Sequence, residues 1–209
     1  MRAVIFANGE LHRATELHAD DLLIAADGGA RHCLALGLKP AIVIGDLDSL
    51  DENDLAALKA AGIEIIRYPE RKDYTDLELA LQYAQEQGVT EILVMGALGA
   101  RWDQTIANIL LPAAFSPLKI SLTDGPQELF FIRGGEQLQI NGQQGDTVSL
   151  IPLTNDTYGI TTQGLEYALN DENLSFGSTR GISNVLLEEE ATISLKAGLL
   201  LCTVIHTSN

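Results

Sequence analysis

Cysteine is scarce in this sequence, because Cys33 and Cys202 are the only two among 209 residues. Two cysteines so far apart cannot form a zinc motif or a disulfide framework, so we expect reduced core thiols in a cytoplasmic protein. Long apolar runs are also lacking. The longest, AGLLLCTVI at 197–205, is far shorter than the roughly 20 residues that a membrane helix needs. The first residues carry no charged-then-apolar secretion signal, so we expect neither a membrane-spanning nor a disulfide-stabilised protein.

Positive charge is the second shortage. Thirteen Lys and Arg residues against 29 Asp and Glu residues give a net charge of −16. So acidic a chain repels phosphate backbones and anionic lipids, which argues against binding to nucleic acid or to a membrane surface. The acidic excess would suit divalent metals or a cationic substrate, although it can also serve solubility alone. A hydrophobic content of 46% indicates a folded protein with a sizeable core.

Familiar nucleotide and metal motifs are missing as well. The sequence has neither a Walker phosphate-binding loop nor a complete GxGxxG fingerprint. Its four histidines have no companions at metal-ligand spacing, so we do not expect a histidine-based metal site. The chain offers instead a recurring pattern in which apolar runs are followed by aspartates and glycines.

The first 125 residues alternate apolar runs with helical patterns. The runs are apolar on both faces, as strands of a parallel sheet covered by helices must be. We therefore predict an N-terminal α/β domain at 1–125 with an open, mostly parallel sheet flanked by helices. Thr75 and Glu78 have the spacing of a capping box and should open one of these helices. The predicted strands are Ala3–Ala7, Leu22–Ala26, Ala41–Ile44, Ile63–Tyr68, Ile92–Met95 and Ile120–Thr123.

The pattern changes near Pro126. Short β-rich runs such as ELFFI, DTVSLIPL and ATISL follow one another, separated by Gly, Asn and Asp. No long helical pattern appears among them. The second half is therefore predicted to form a separate, small all-β sandwich or barrel domain at 126–209.

Four consecutive predicted strands of the first domain end in charged or glycine-rich loops. These loops supply Asp27 and Gly28 in ADGGA, Asp46 and Asp48 in GDLDS, Lys72, Asp73 and Asp76 in RKDYTD, and Arg101 and Asp103 in GALGARWDQ. The carboxyl ends of parallel strands share one edge of the sheet, where open α/β sheets bind their ligands. Each motif alone also fits a turn or a helix start. Their recurrence at one edge predicts a single shared site.

The residue types at this edge indicate a chemistry. Several carboxylates in one crevice repel one another unless a cation lies between them, and Mg²⁺ prefers oxygen ligands. Glycines let backbone amides approach phosphate oxygens, while Lys72 and Arg101 add fixed positive charge. The set predicts a phosphate and metal site for phosphoryl-group transfer.

With these motifs in this order, the chain resembles the thiamine pyrophosphokinase family. The resemblance rests on ADGGA, GDLDS, KDYTD and GALGARWDQ, followed by GLEYAL and GISN in the β-rich half, and it spans almost the whole chain. It implies an α/β catalytic domain followed by a β-sandwich that binds thiamine and forms a homodimer. It also implies Mg²⁺-dependent transfer of a pyrophosphoryl group from ATP to the thiamine hydroxyl, which gives thiamine diphosphate and AMP.

The resemblance also assigns roles to individual residues. The implied metal-binding and catalytic carboxylates are Asp46, Asp48, Asp73 and Asp76, the last also near the substrate. The implied nucleotide-binding residues are Asp27, Gly28, Lys72, Arg101 and Asp103, of which Arg101 and Asp103 are also catalytic. The implied thiamine contacts, made across a dimer interface in a shared site, are Ser183 and Asn184.

Two other interpretations of the same motifs stay open. A metal-dependent nucleotide phosphohydrolase would use the same residues with water in place of thiamine. A non-catalytic nucleotide sensor would bind ATP without turnover, and its β domain would bind a partner.

Two residue roles are left open by the sequence. The general base is one of the aspartates, for example Asp76. Trp102 fits both a packing role and stacking on a substrate.

Overall fold

The computed structural model of the chain describes residues 1–99, 101–155 and 157–207. It divides into two compact units, Met1–Gly125 and Pro126–Asn209. Each unit has its own cluster of buried apolar side chains.

The first unit is built on six parallel strands. They are β1 (Arg2–Phe6), β2 (Leu22–Ala26), β3 (Ile42–Gly45), β4 (Glu64–Arg67), β5 (Glu91–Met95) and β6 (Lys119–Thr123). They lie in the order β6-β5-β1-β2-β3-β4, and every neighbouring pair is parallel. The predicted strands and the parallel sheet are thus confirmed.

Helices connect these strands. They are α1 (Gly29–Ala35), α2 (Glu52–Ala60), α3 (Asp76–Glu86) and α4 (Trp102–Leu110), with a 3₁₀ turn at Leu111–Ala114. Thr75 caps α3 as predicted, since its hydroxyl accepts a hydrogen bond from the Glu78 amide at 3.2 Å. The capped end of α3 is therefore fixed at Asp76, directly beside the end of β3.

The second unit contains two antiparallel sheets. Its strands are β7 (Gln127–Arg133), β8 (Gln137–Asn141), β9 (Thr147–Pro152), β10 (Thr161–Gln163), β11 (Asn184–Val185), β12 (Glu190–Ser194) and β13 (Leu199–Ile205). One sheet has the order β11-β9-β13-β7 and the other β10-β12-β8. Buried apolar residues of both sheets form one core, and no helix occurs in the described part of this unit. The predicted β-sandwich is confirmed.

Both cysteines are free and buried, as predicted for core thiols. Burial raises the pKa of each thiol to about 12, so neither is a reactive thiolate near neutral pH. Among the described residues, no helix has the length and apolar character that crossing a membrane requires.

Candidate active site

A cleft of about 900 Å³ opens at the carboxyl edge of the parallel sheet. The strand order reverses between β1 and β5, and open α/β sheets bind ligands at such a switch point. The loops that follow these two strands, 7–10 and 97–99, both line the cleft. The starts of α3 and α4 complete its walls.

Three carboxylates from different loops converge in this cleft. Oxygen atoms of Asp27, Asp46 and Asp76 all lie within 4.8 Å of one another. The Lys72 ammonium lies against them, with Nζ 2.6 Å from Asp46 Oδ2 and 3.1 Å from Asp76 Oδ1. We refer to Asp27, Asp46, Asp76 and Lys72 as the carboxylate cluster.

Burial and Lys72 determine the electrostatics of the carboxylate cluster. Asp27 is only 5% exposed, and its Oδ1 has no hydrogen-bond partner among the described residues. The hydrogen bond from Lys72 lowers the pKa of Asp46, whereas burial raises the pKa of Asp76. Burial acts against the Lys72 charge, but its contacts with Asp46 and Asp76 raise the Lys72 pKa. Lys72 offsets part of the negative charge that three clustered carboxylates can carry, and a divalent cation would offset the rest.

The turn after β3 explains why two aspartates follow an apolar strand two residues apart. Between them, Leu47 has a left-handed backbone with φ +68°, a strain that costs about 1–3 kcal/mol. Its side chain is buried in the core of the first unit, which contributes about 1.5–3 kcal/mol in return. Because Leu47 turns into the core, Asp46 and Asp48 are both directed into the cleft.

Two glycines allow close approach around the carboxylates. A Cβ at Gly45, whose φ is +156°, would lie 3.0 Å from Asp27 Cβ and 3.1 Å from Asp76 Oδ1. A Cβ at Gly28 would lie 2.1 Å from the side-chain oxygen of Asn8. Gly28, predicted to bind the nucleotide, is not among the described residues that line the cleft. The structure shows it making room for Asn8, which does line the cleft.

Arg101 and Asp103 form an ion pair at the start of α4, on the cleft wall. Two parallel hydrogen bonds join the guanidinium to the carboxylate, Nε to Oδ1 at 3.2 Å and Nη2 to Oδ2 at 2.6 Å. The pair lowers the pKa of Asp103 and raises that of Arg101. These two bonds fix the orientation of the guanidinium. Because both side chains are exposed, the guanidinium is still open to an anionic ligand.

Asp48 and Asp73 lie outside the carboxylate cluster. Asp48 is exposed on the cleft wall and accepts a hydrogen bond from Ser49 Oγ at 3.2 Å. Asp73 is exposed and is not among the described cleft-lining residues. The reason is the start of α3, which carries Asp76 to the end of β3 and leaves Asp73 in the preceding loop. The metal-binding role of Asp73 stays a prediction that this geometry does not support.

The predicted thiamine residues lie in the second unit, where Asn184 is almost fully buried. Its side-chain oxygen accepts hydrogen bonds from the Tyr167 and Val185 amides at 3.0 and 2.9 Å. Its Nδ2 donates to the Tyr167 carbonyl at 2.9 Å. Ser183 is exposed and has a left-handed backbone with φ +61°. The side chain of Asn184 therefore fixes the GLEYAL loop.

Several cleft residues were not predicted from the sequence. Asn8 and Glu10 follow β1, which carries no charged motif resembling those after the other strands. Thr105 and Asn108 on α4 bind the loop after β5, because Thr105 Oγ1 pairs with the Gly99 amide and carbonyl and Asn108 Nδ2 donates to the Ala97 carbonyl. The position of β1 beside β5 would have identified them, but this strand order cannot be predicted from the sequence.

Comparisons with known proteins give a consistent family. A family model described as thiamin pyrophosphokinase, catalytic domain, matches residues 14–122, and one described as thiamin pyrophosphokinase, vitamin B1 binding domain, matches residues 136–200. The chain is 32% identical over 182 residues to the thiamine pyrophosphokinase of Bacillus subtilis (strain 168). This match covers 86% of this chain and 85% of that protein. It is 27% identical over 224 residues to thiamine pyrophosphokinase 1 of Oryza sativa subsp. japonica, which covers 95% and 85%.

Solved structures agree with these sequence matches. The crystal structure of thiamine pyrophosphokinase from Bacillus subtilis superposes with a TM-score of 0.89 at 28% identity and 100% coverage of both chains. That of a thiamin pyrophosphokinase family protein from Enterococcus faecalis gives 0.87 at 25% identity, again with 100% coverage of both. The resemblance inferred from the order of the motifs is confirmed. The chain belongs to the thiamine pyrophosphokinase family of kinase enzymes.

Proposed function

We propose that this chain transfers a pyrophosphoryl group from ATP to the hydroxyl of thiamine, with thiamine diphosphate and AMP as products. Family membership supports the reaction. In this chain the observation that carries it is the carboxylate cluster, where three carboxylates meet within 4.8 Å in a cleft of about 900 Å³. A cleft of that volume lies in the range that holds a nucleotide-sized ligand.

A Mg²⁺ site at the carboxylate cluster is supported by the donor set. Oxygen ligands suit this ion, and the buried Asp27 Oδ1 lacks a partner among the described residues. Asp27, Asp46 and Asp76 would hold the ion, and Asp48 would contact it or its water from the cleft wall. Bound there, Mg²⁺ would neutralise charge on the ATP phosphates.

The remaining site residues have positioning and charge-balancing roles in this proposal. Arg101, held by Asp103, would bind phosphate oxygens at the cleft wall. Lys72 would balance charge among the carboxylates, since it already contacts Asp46 and Asp76. The thiamine oxygen bonds to the β-phosphorus of ATP. At the same time, the bond from that phosphorus to the oxygen bridging the α- and β-phosphorus atoms breaks. AMP leaves with the bridging oxygen, and the hydroxyl proton passes to a cleft carboxylate.

A cytoplasmic homodimer with shared sites is also part of the proposal. No described residue of α4 is buried, and its apolar residues Trp102, Ile106 and Leu110 are 82%, 54% and 49% exposed. In the second unit, Tyr167 and Phe176 are 64% and 62% exposed. Apolar surfaces of this kind mark contacts, and a second copy would cover both. Two free thiols agree with the cytoplasm.

The test is the dependence of AMP formation on thiamine. We expect the purified protein with ATP and Mg²⁺ to release AMP only when thiamine is added, in equal amount to thiamine diphosphate. AMP formation without thiamine would indicate the phosphohydrolase. Calorimetric binding of ATP with no turnover would indicate the sensor.

Arg101→Lys should lose about 10- to 100-fold in kcat/KM. A lysine cannot make the two parallel bonds to Asp103 and present a planar fork to phosphate. Steady-state kinetics would measure the loss. Arg67→Lys is the matched control, because Arg67 is exposed and is not among the described cleft residues. Equal small effects at both positions would show that Arg101 is an ordinary surface residue.

Ser183→Ala and Asn184→Ala should separate substrate contact from loop support. Losing one hydrogen bond from Ser183 to thiamine should raise the KM for thiamine roughly 3- to 10-fold and leave the KM for ATP unchanged. Asn184→Ala leaves backbone groups of the GLEYAL loop unpaired, which should cost about 1–3 kcal/mol of unfolding free energy. An unchanged thiamine KM in Ser183→Ala would reject its binding role.

The sharing of the site between two subunits can be tested separately. Co-expression of Asp46→Asn with the double variant Ser183→Ala, Asn184→Ala yields mixed dimers in which one site has both halves intact. At a thiamine concentration well below the KM, where the Ser183→Ala change limits turnover, activity above that of either parent is expected. No recovery in confirmed mixed dimers would reject a site shared between subunits.

A further inference from the structure

Asn8 lies at the centre of a hydrogen-bond chain that ends on Asp48. The guanidinium of Arg31 donates from Nη2 to Asn8 Oδ1 at 2.9 Å. Asn8 Nδ2 donates to Ser49 Oγ at 2.9 Å, and Ser49 Oγ donates to Asp48 Oδ1 at 3.2 Å. The chain thus joins α1, the loop after β1 and the turn after β3.

The direction of this chain is fixed at both ends. Arginine has only donors, so its contact orients the Asn8 amide with the oxygen toward Arg31 and the NH₂ toward Ser49. The Ser49 oxygen accepts that hydrogen, which leaves its own hydrogen for Asp48. An ionised carboxylate only accepts, so the hydrogen bond to Asp48 Oδ1 has the one possible direction.

The fold provides a tightly bounded place for the Asn8 side chain. A Cβ at Gly28 would lie 2.1 Å from Asn8 Oδ1 and 2.4 Å from its Cγ. At the next residue, the Gly9 carbonyl lies 2.9 Å from His32 Nε2, and a Cβ at Gly9 would lie 2.3 Å from the Leu98 carbonyl oxygen. A larger residue at Gly28 would displace the Asn8 side chain, and one at Gly9 would push the backbone next to Asn8 away from the loop after β5.

We propose that Asn8 is a positioning residue that holds the Asp48 carboxylate through Ser49. Asp48 is exposed, so its side chain would otherwise rotate freely and lose conformational entropy on binding a ligand. With Oδ1 held by Ser49, Oδ2 is left to contact a ligand in the cleft that Asp48 lines. This inference rests on the proposed function, because it gives Asp48 its purpose at the Mg²⁺ site.

The experiment uses Mn²⁺ in place of Mg²⁺ and measures its affinity by electron paramagnetic resonance, together with turnover. Asn8→Ala should weaken Mn²⁺ binding and kcat/KM about tenfold, as loss of a residue that orients a metal ligand typically does. Asn8→Asp should be at least as impaired, because a second acceptor would draw the Ser49 hydrogen away from Asp48. Asn53→Ala, an exposed asparagine on α2, is the control and should match the wild type.

A double-mutant cycle separates the possible outcomes. If Asn8 acts through Asp48, adding Asn8→Ala to Asp48→Asn should cause no further loss. A full additional tenfold loss would overturn the proposal and leave Asp48 as a ligand. Normal Mn²⁺ affinity in Asn8→Asp would overturn it too, since it would show that shape alone matters. Normal affinity and turnover in Asp48→Asn alone would remove the Asp48 role on which the inference rests.

Discussion

Asp46→Asn should leave the protein folded and lower turnover roughly 1,000-fold, which corresponds to about 4 kcal/mol of transition-state stabilisation. The amide removes the negative charge that pairs with Lys72 at 2.6 Å and would bind Mg²⁺. Its shape is unchanged, so packing around the end of β3 should persist. Steady-state turnover with circular dichroism as the check on folding would measure the effect.

Asp73→Asn is the matched control for Asp46→Asn. It makes the same chemical change in an exposed carboxylate outside the carboxylate cluster. We expect turnover within a few-fold of the wild type. Near-normal activity in Asp46→Asn, or an equally large loss in Asp73→Asn, would contradict the ligand set that the geometry favours.

Asp27→Asn should make the metal-free protein more stable while nearly abolishing activity. The buried Asp27 carboxylate has one oxygen without a partner among the described residues and faces two other carboxylates within 4.8 Å. Replacing it with a neutral amide should add about 1–3 kcal/mol to the free energy of unfolding. Thermal unfolding in the presence of a chelator would show this as a higher Tm.

Adding Mg²⁺ should reverse the order of Tm, so that the wild type becomes more stable than Asp27→Asn. A ligand that binds only the folded state raises Tm, so the wild type should gain stability and Asp27→Asn should gain little. Asp73→Asn should behave as the wild type in both buffers. A chelator-treated Asp27→Asn that is less stable than the wild type, or an equal Mg²⁺ shift in both, would contradict a metal site at Asp27.

The strands and the site edge could be predicted because local rules determine them. Strands such as β1 and β3 are buried on both faces, which their unbroken apolar runs already indicate. The hydroxyl of Thr75 caps α3 by accepting a hydrogen bond from the Glu78 amide, a contact within four consecutive residues. Parallel strands then bring the loops after β2, β3 and β4 to one edge, whatever their order in the sheet.

Features that depend on strand order or on long-range contacts could not be predicted. No periodicity places β1 beside β5, so the cleft position of Asn8 was not visible in the sequence. Asp73 and Asp76 look equivalent in KDYTD, and only the docked start of α3 distinguishes them. The hydrogen bonds between Asn184 and Tyr167 join residues 17 apart in the chain, so the support that Asn184 gives to the GLEYAL loop was not visible in the sequence.

The fate of the β-phosphorus of ATP distinguishes pyrophosphoryl transfer to thiamine from the other possible reactions. Thiamine, Mg²⁺ and ATP labelled with ³²P at the β-phosphorus would be incubated with the protein, and the products separated by chromatography. We expect label in thiamine diphosphate, equal in amount to the AMP formed. Label in ADP, in thiamine monophosphate or in free pyrophosphate would contradict pyrophosphoryl transfer to thiamine.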